Sequence, residues 1–133
     1  MDVAGAGGTS WSEVERHRIV QPWRAQAAAE FAGWGIPTAE CLIAARRAVP
    51  EKMLIASGGV RGGLDVAKAI ALGADLVGVA SPFLHAAAHG PDAAASLAKE
   101  LVEVLRTAMF AIGEPAIPQL QGTPRLRRLE DRL

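Results

Sequence analysis

The chain has a single cysteine, Cys41. No internal disulfide can form. A catalytic thiol would want a histidine partner, which neither the sequence nor its spacing offers. Cys41 reads instead as a small apolar residue on a helix. No apolar run is long enough for a membrane span, and no cationic start followed by an apolar stretch marks a signal peptide. Net charge is also missing, because 14 Lys+Arg balance 14 Asp+Glu. Nothing in that total points to a nucleic-acid or membrane partner. These absences predict a soluble, cytoplasmic protein. The basic stretch from Arg125 to Arg132 interleaves two acids and reads as a solvated terminus. The histidines, His17, His85 and His89, are scattered, and no pair has metal-ligand spacing beside a carboxylate. All three read as solvent-exposed. No two carboxylates converge for acid–base work. Asp65 sits at a helix start, where it interacts well with the dipole.

What is present is one domain's worth of chain, 133 residues, half of them hydrophobic and 21% charged. A packed core is expected. Asp2–Ala4 reads as a short strand running into Gly5-Ala-Gly-Gly8. With no element before it, the chain is expected to begin inside a fold. Thr9 or Ser10 is placed to cap a helix over Trp11–Arg18, with Glu13 as the capping-box acid. Trp23–Phe31 reads as an alanine-rich helix. Ala39–Val49 follows as a helix with Thr38 as N-cap. Met53–Ala56 is an apolar run suited to a strand covered on both faces. Leu64–Leu72 is helical by spacing, and Gly73 closes it. Leu76–Ala80 is a further buried strand. Asp92 is placed to cap the longest helix, Ala93–Ile112, whose stripe is Leu97, Leu101, Leu105 and Met109, with Gly113 as its stop. Gly113–Pro124 holds three prolines and reads as irregular. Alternating strands and helices predict an α/β fold with parallel strands and right-handed crossovers. Three strands leave two sheet edges uncovered.

Two loops carry the chemistry. Ile55-Ala-Ser-Gly58-Gly59-Val60-Arg61 and Gly78-Val-Ala80-Ser81 each follow a predicted strand. Glycines at 58 and 59 let backbone N–H groups approach a ligand. The helix beginning near Leu64 points its N-terminus at the first loop, which favours an anion there. Arg61 suits a phosphate or an aromatic ring system. Pro82 fits a first helical position and leaves the Ser81 N–H facing the same anion. Two such loops at the ends of neighbouring parallel strands form a phosphate cup, as after the last two strands of a (β/α)8 barrel. A phosphorylated cofactor is the expected ligand. The Gly5–Gly8 run with Thr9 and Ser10 is neither a dinucleotide fingerprint nor a nucleotide P-loop.

Several motifs stand in a familiar order: Asp2-Val-Ala-Gly-Ala-Gly-Gly-Thr-Ser-Trp11, Trp34-Gly-Ile-Pro-Thr38, Ile55 through Asp75, Gly78-Val-Ala-Ser-Pro-Phe-Leu84, and Arg106-x-x-Met109-Phe110 before Gly113. Together they resemble type 2 isopentenyl diphosphate isomerase, an FMN-dependent (β/α)8 barrel. The Ser-Gly-Gly-x-Arg element alone is shared with α-hydroxy-acid oxidases. The resemblance runs from Asp2 to about Leu120 and implies the C-terminal portion of a TIM barrel, about three βα units. It implies a partial FMN-binding barrel over 1–120 and a tail over 121–133. By the same resemblance, Thr9 would contact the flavin or its phosphate. Gly58, Gly59, Val60 and Arg61 would form one side of the phosphate cup, Ala80 and Ser81 the other. Trp11 would lie near the substrate pocket. The family more often has glycine at the Ala4 position and commonly a basic residue at Ser81. The full-length family also uses magnesium and NADPH. The residues that hold the magnesium ion, the diphosphate of isopentenyl diphosphate and the rest of the isoalloxazine ring belong to the upstream part, and no catalytic residue or magnesium ligand is expected in this chain. The implied chemistry is conversion of isopentenyl to dimethylallyl diphosphate, with this chain inactive alone. The alternatives are part of an α-hydroxy-acid dehydrogenase, for which no histidine–arginine pair follows a strand, or a non-enzymatic remnant or association module. Self-association, or pairing with an upstream barrel fragment, is expected from the open edges.

Overall fold

The computed structural model describes residues 1–127. Of the basic stretch, Arg128–Arg132 therefore lies outside the described residues. The elements run β1 (Asp2–Ala4), α1 (Trp11–Arg16), α2 (Pro22–Ala29), α3 (Thr38–Ala48), β2 (Ile55–Ser57), α4 (Gly63–Ala71), β3 (Leu76–Val77), α5 (Ser81–Ala88), α6 (Pro91–Ile112) and α7 (Ile117–Leu120). The strands form one parallel sheet in the order β1-β2-β3. Asp2 pairs with Ile55 and Ala4 with Ser57, while Ile55 and Ala56 pair with Leu76 and Val77. The sheet thus follows chain order, as consecutive βα units require. Its two outer strands, β1 and β3, are edges.

The core lies in two layers that share α4. Leu42 of α3 packs with Leu54, Ala56, Ala69 and Ala74 against one face of the sheet. On the other side of α4, Ala67, Ile70 and Ala71 meet Met109 of α6 and Leu120 of α7. Leu42, Leu54 and Leu120 are fully buried. Small residues at 67, 69 and 71 let α4 sit closely between its neighbours. The predicted stripe on α6 turns inward, with Leu101 and Met109 buried and Leu97 and Leu105 half-buried.

Several boundaries differ from the sequence reading, each for a local reason. β3 is shorter than Leu76–Ala80. Gly78 still donates to the Ala56 carbonyl at 2.7 Å, but the chain then turns into α5. β2 begins later than Met53, whose carbonyl instead accepts the Met1 amino group at 2.6 Å. Thr38 is not an N-cap. Pro37 holds that position, and the Thr38 hydroxyl donates to the Gly58 carbonyl at 2.8 Å. Asp92 does not cap α6 either, because Pro91 fits the first turn and Gly90 takes the cap position. Ser10 is the residue before α1, but its hydroxyl bonds Ser12 and the Ala32 carbonyl rather than a helix amide. Glu13 is held by Arg16 at 2.7 Å instead of reaching back to a cap. The segment Gly113–Pro124 is not wholly irregular. α7 forms within it, and Gly122 donates to the Ala71 carbonyl at 3.0 Å. Gly113 ends α6 in the left-handed region, as predicted, with Glu114 N–H on the Met109 carbonyl at 2.9 Å.

Candidate functional site

The loops after β1, β2 and β3 gather at one end of the sheet, at the C-terminal ends of its strands. They line a cleft of about 830 Å³. Thr9, Gly58, Gly59, Val60, Arg61, Ala80 and Ser81 all border it, together with Asp2, Ser57 and His85. The structure therefore brings every sequence-predicted cofactor residue to a single concavity. Trp11 is elsewhere. It is 74% exposed and lines an adjoining cleft of about 730 Å³ with Trp34, Ile36 and Cys41. The two clefts share Gly8 and Thr9.

Backbone packing builds the cleft. Gly58 and Gly59 both have positive φ, +85° and +81°, which residues with a Cβ rarely adopt. A Cβ at Gly59 would strike the Gly7 backbone, and one at Gly58 would come 2.8 Å from the Gly5 carbonyl. These glycines let the second loop lie directly on the first. The Thr38 hydroxyl ties the same loop to α3 through the Gly58 carbonyl. Asp65 does so from α4, accepting the Arg61 N–H at 3.1 Å.

The polar groups left open suit an anion. Neither α4 nor α5 has a side-chain cap at its start. The first amides of α5, on Ser81 and Phe83, precede the first intrahelical donor, Leu84 N–H to the Ala80 carbonyl at 2.9 Å. Ser81 and Pro82 themselves line the cleft. Uncapped helix starts carry partial positive charge toward an anion. Arg61 adds a full charge to the lining. Asp2 opposes it, with its Oδ1 accepting the Ser57 hydroxyl at 2.8 Å. These residues fit a phosphate group. Among the described residues, no group of three His, Cys, Asp or Glu gathers as metal ligands.

Sequence reasoning missed His85 as a lining residue. The signal was its spacing, four residues after Ser81 and so on the same helix face. It also missed the cluster at the opposite end of the sheet. There Arg46 donates to Asp75 Oδ2 at 2.7 Å and to the Gly73 carbonyl at 2.8 Å. Asp75 also accepts the Leu54 N–H at 2.8 Å and the Gln121 amide at 3.0 Å. The Leu54 amide, then Gln121 and Arg46, hold the Asp75 carboxyl down at about 2.

Parallel strands joined by helices, with a cleft at their C-terminal ends, define part of a TIM (β/α)8 barrel. The sequence profile of the FMN-dependent dehydrogenases matches residues 34–127. The chain belongs to this family, whose cofactor is FMN. It is 48% identical over 130 residues to the isopentenyl-diphosphate delta-isomerase of Nostoc sp., covering 98% of this chain and 37% of that protein. The enzyme of the same name from Stutzerimonas stutzeri is 50% identical over 121 residues, covering 91% of this chain and 35% of that protein. The chain thus spans about a third of the length of these relatives. Among solved structures, a mandelate oxidase variant superposes with a TM-score of 0.61 at 34% identity, over 63% of this chain and 26% of that one. Another mandelate oxidase structure covers 86% of this chain and 42% of that one, with a TM-score of 0.62 at 27% identity.

Proposed function

We propose that this chain is the cofactor-phosphate part of an FMN-dependent isomerase that converts isopentenyl diphosphate to dimethylallyl diphosphate. The single observation that carries the reading is the cleft in which Thr9, Gly58–Arg61 and Ala80–Ser81 meet. The names of its relatives supply the reaction. In this reading the amides after Gly58 and at Ser81 hold the phosphate, and Arg61 neutralises part of its charge. Bound FMN would supply the reacting ring. Trp11, in the adjoining cleft, borders the substrate side. Residues 1–120 act as the partial barrel and 121–133 as its tail, in the cytoplasm.

The α-hydroxy-acid dehydrogenase reading has the solved mandelate oxidases in its favour, but the sequence offers no histidine–arginine pair after a strand. The edges β1 and β3 would be closed in a complete barrel. Leu76 on β3 is 54% exposed. Self-association, or association with an upstream barrel fragment, would cover them. Sedimentation at micromolar concentration is expected to show species larger than a monomer, and a clean monomer would contradict this.

The function is tested by complementation. The chain is co-expressed with the part of the Nostoc relative that precedes the matched region, and assayed with isopentenyl diphosphate, FMN, a reductant and magnesium. Turnover by the pair and none by either piece is expected, because a partial site cannot orient both reactants. Turnover by the chain alone at the rate of the intact relative, or none by a pair that binds FMN, would overturn the proposal.

A further inference from the structure

Three ionisable side chains line the proposed phosphate cleft: Asp2, Arg61 and His85. Asp2 and Arg61 carry opposite formal charges, so the lining offsets only part of the charge of a bound phosphate. A phosphate monoester bears about −1.5 to −2 at neutral pH. Helix starts and backbone amides contribute only partial charges toward it. His85 is the one further lining side chain able to add a donor and positive charge.

Its placement suits that role. Ser81 and His85 are four residues apart on α5, on one face of the helix, and both border the cleft. The Ser81 amide sits at the helix start, and the imidazole stands one turn along the same wall. The other two histidines are occupied differently. His89 Nδ1 lies 2.8 Å from the His85 carbonyl, and His17 Nε2 lies 4.0 Å from Glu13. Among the described residues, the ring of His85 has no hydrogen-bond partner, although the residue is exposed to the cleft.

We infer that His85 is a further phosphate-binding residue of this cleft and helps set its preference for phosphorylated over unphosphorylated flavin. The inference rests on the proposed reading of the cleft as the FMN phosphate site. His85 donates a ring N–H to a phosphate oxygen, in a lining that also holds Arg61. Its position on the first turns of α5 couples it to the Ser81 amide, so one rigid helix presents both donors.

The test compares FMN with riboflavin, which lacks the phosphate, by flavin fluorescence quenching on the full chain. The variants are His85→Leu, His85→Lys and the control His17→Leu. The wild-type chain and the control are expected to bind FMN more tightly than riboflavin. His85→Leu, which removes the donor, is expected to weaken FMN about fivefold and leave riboflavin unchanged, as for loss of one solvent-exposed hydrogen bond to a charged group. His85→Lys, which supplies an N–H donor at the same place, is expected to recover most of that loss. An unchanged FMN-to-riboflavin ratio in His85→Leu, with the wild-type preference intact, overturns the role of His85 and leaves the cleft assignment standing. Equal losses for both flavins would mark His85 as structural and also overturn it. Equal affinities of the wild-type chain for FMN and riboflavin, or no FMN binding, would defeat the cleft assignment itself.

Discussion

The two ends of the sheet use their polar groups in opposite ways. At the N-terminal ends of β2 and β3, Arg46, Asp75, Gln121 and the Leu54 amide satisfy one another, and Arg46 also bonds the Pro50 and Lys52 carbonyls at 2.7 and 3.0 Å. At the C-terminal ends, loops of small residues pack backbone on backbone, and the start of α5 borders the cleft. One end has closed its hydrogen bonds within the chain and acts as a clasp. The other leaves donors open to the cleft. The fold thereby keeps a closed clasp at one end of its sheet and an open cleft at the other, the arrangement expected of the two faces of a β/α barrel.

The largest expected effect comes from crowding the open end. Gly59→Ala puts a Cβ into the Gly7 backbone at a φ of +81°. A loss of about 3 kcal/mol, and of FMN binding, is expected in denaturant titration and flavin quenching. Gly62→Ala is the matched control. Its φ is −154° and its Cβ would meet open space, so stability should stay within about 0.5 kcal/mol. If the two variants behave alike, the loop-on-loop packing is not what shapes the cleft.

At the clasped end, Asp75→Ala removes the acceptor of three donors, including the Leu54 amide. Stability is expected to fall by about 2 kcal/mol, discounted for the partly exposed carboxylate. The ratio of FMN to riboflavin affinity should not move. A shifted ratio would mean that the two ends are coupled rather than separate.

The same clasp has a pH signature. Folding lowers the Asp75 pKa from 3.8 to about 2, with the Leu54 N–H as the largest cause. A depressed carboxylate stabilises fully above its unfolded pKa and loses that contribution as pH falls through the folded one. The stability difference between wild type and Asp75→Asn should therefore be constant above 3.8 and shrink toward about 2. A difference that grows on acidification would contradict the hydrogen-bond assignment.

The smallest effect expected is at the tie between α3 and the second loop. Thr38→Val loses the bond to the Gly58 carbonyl. A cost of about 1 kcal/mol is expected, with a modest loss of FMN affinity.

The element order and the parallel sheet were legible because apolar runs such as Leu54–Ala56 are punctuated by glycines at 58, 73 and 113. The cleft was legible for the same reason: each of its loops directly follows a short strand. Capping was misread wherever a polar side chain had a better partner across the fold. Thr38 reaches Gly58, twenty residues away, and Glu13 turns to Arg16. Arg46 and Asp75 are 29 residues apart, and no local pattern joins them. His85 looked like one histidine among alanines. Its spacing from Ser81 put the two on one helix face, and the fold shows that this face borders the cleft.

The most direct test of the division between the two ends is a map of backbone amide NMR shifts as FMN is added to the chain. Shifts are expected to concentrate at Gly8, Thr9, Gly59–Gly63, Ser81 and Phe83, and to be absent at Leu54, Gly73, Asp75 and Gln121. Shifts centred on that second group, or spread evenly over both ends of the sheet, would contradict a phosphate site at the C-terminal ends of the strands.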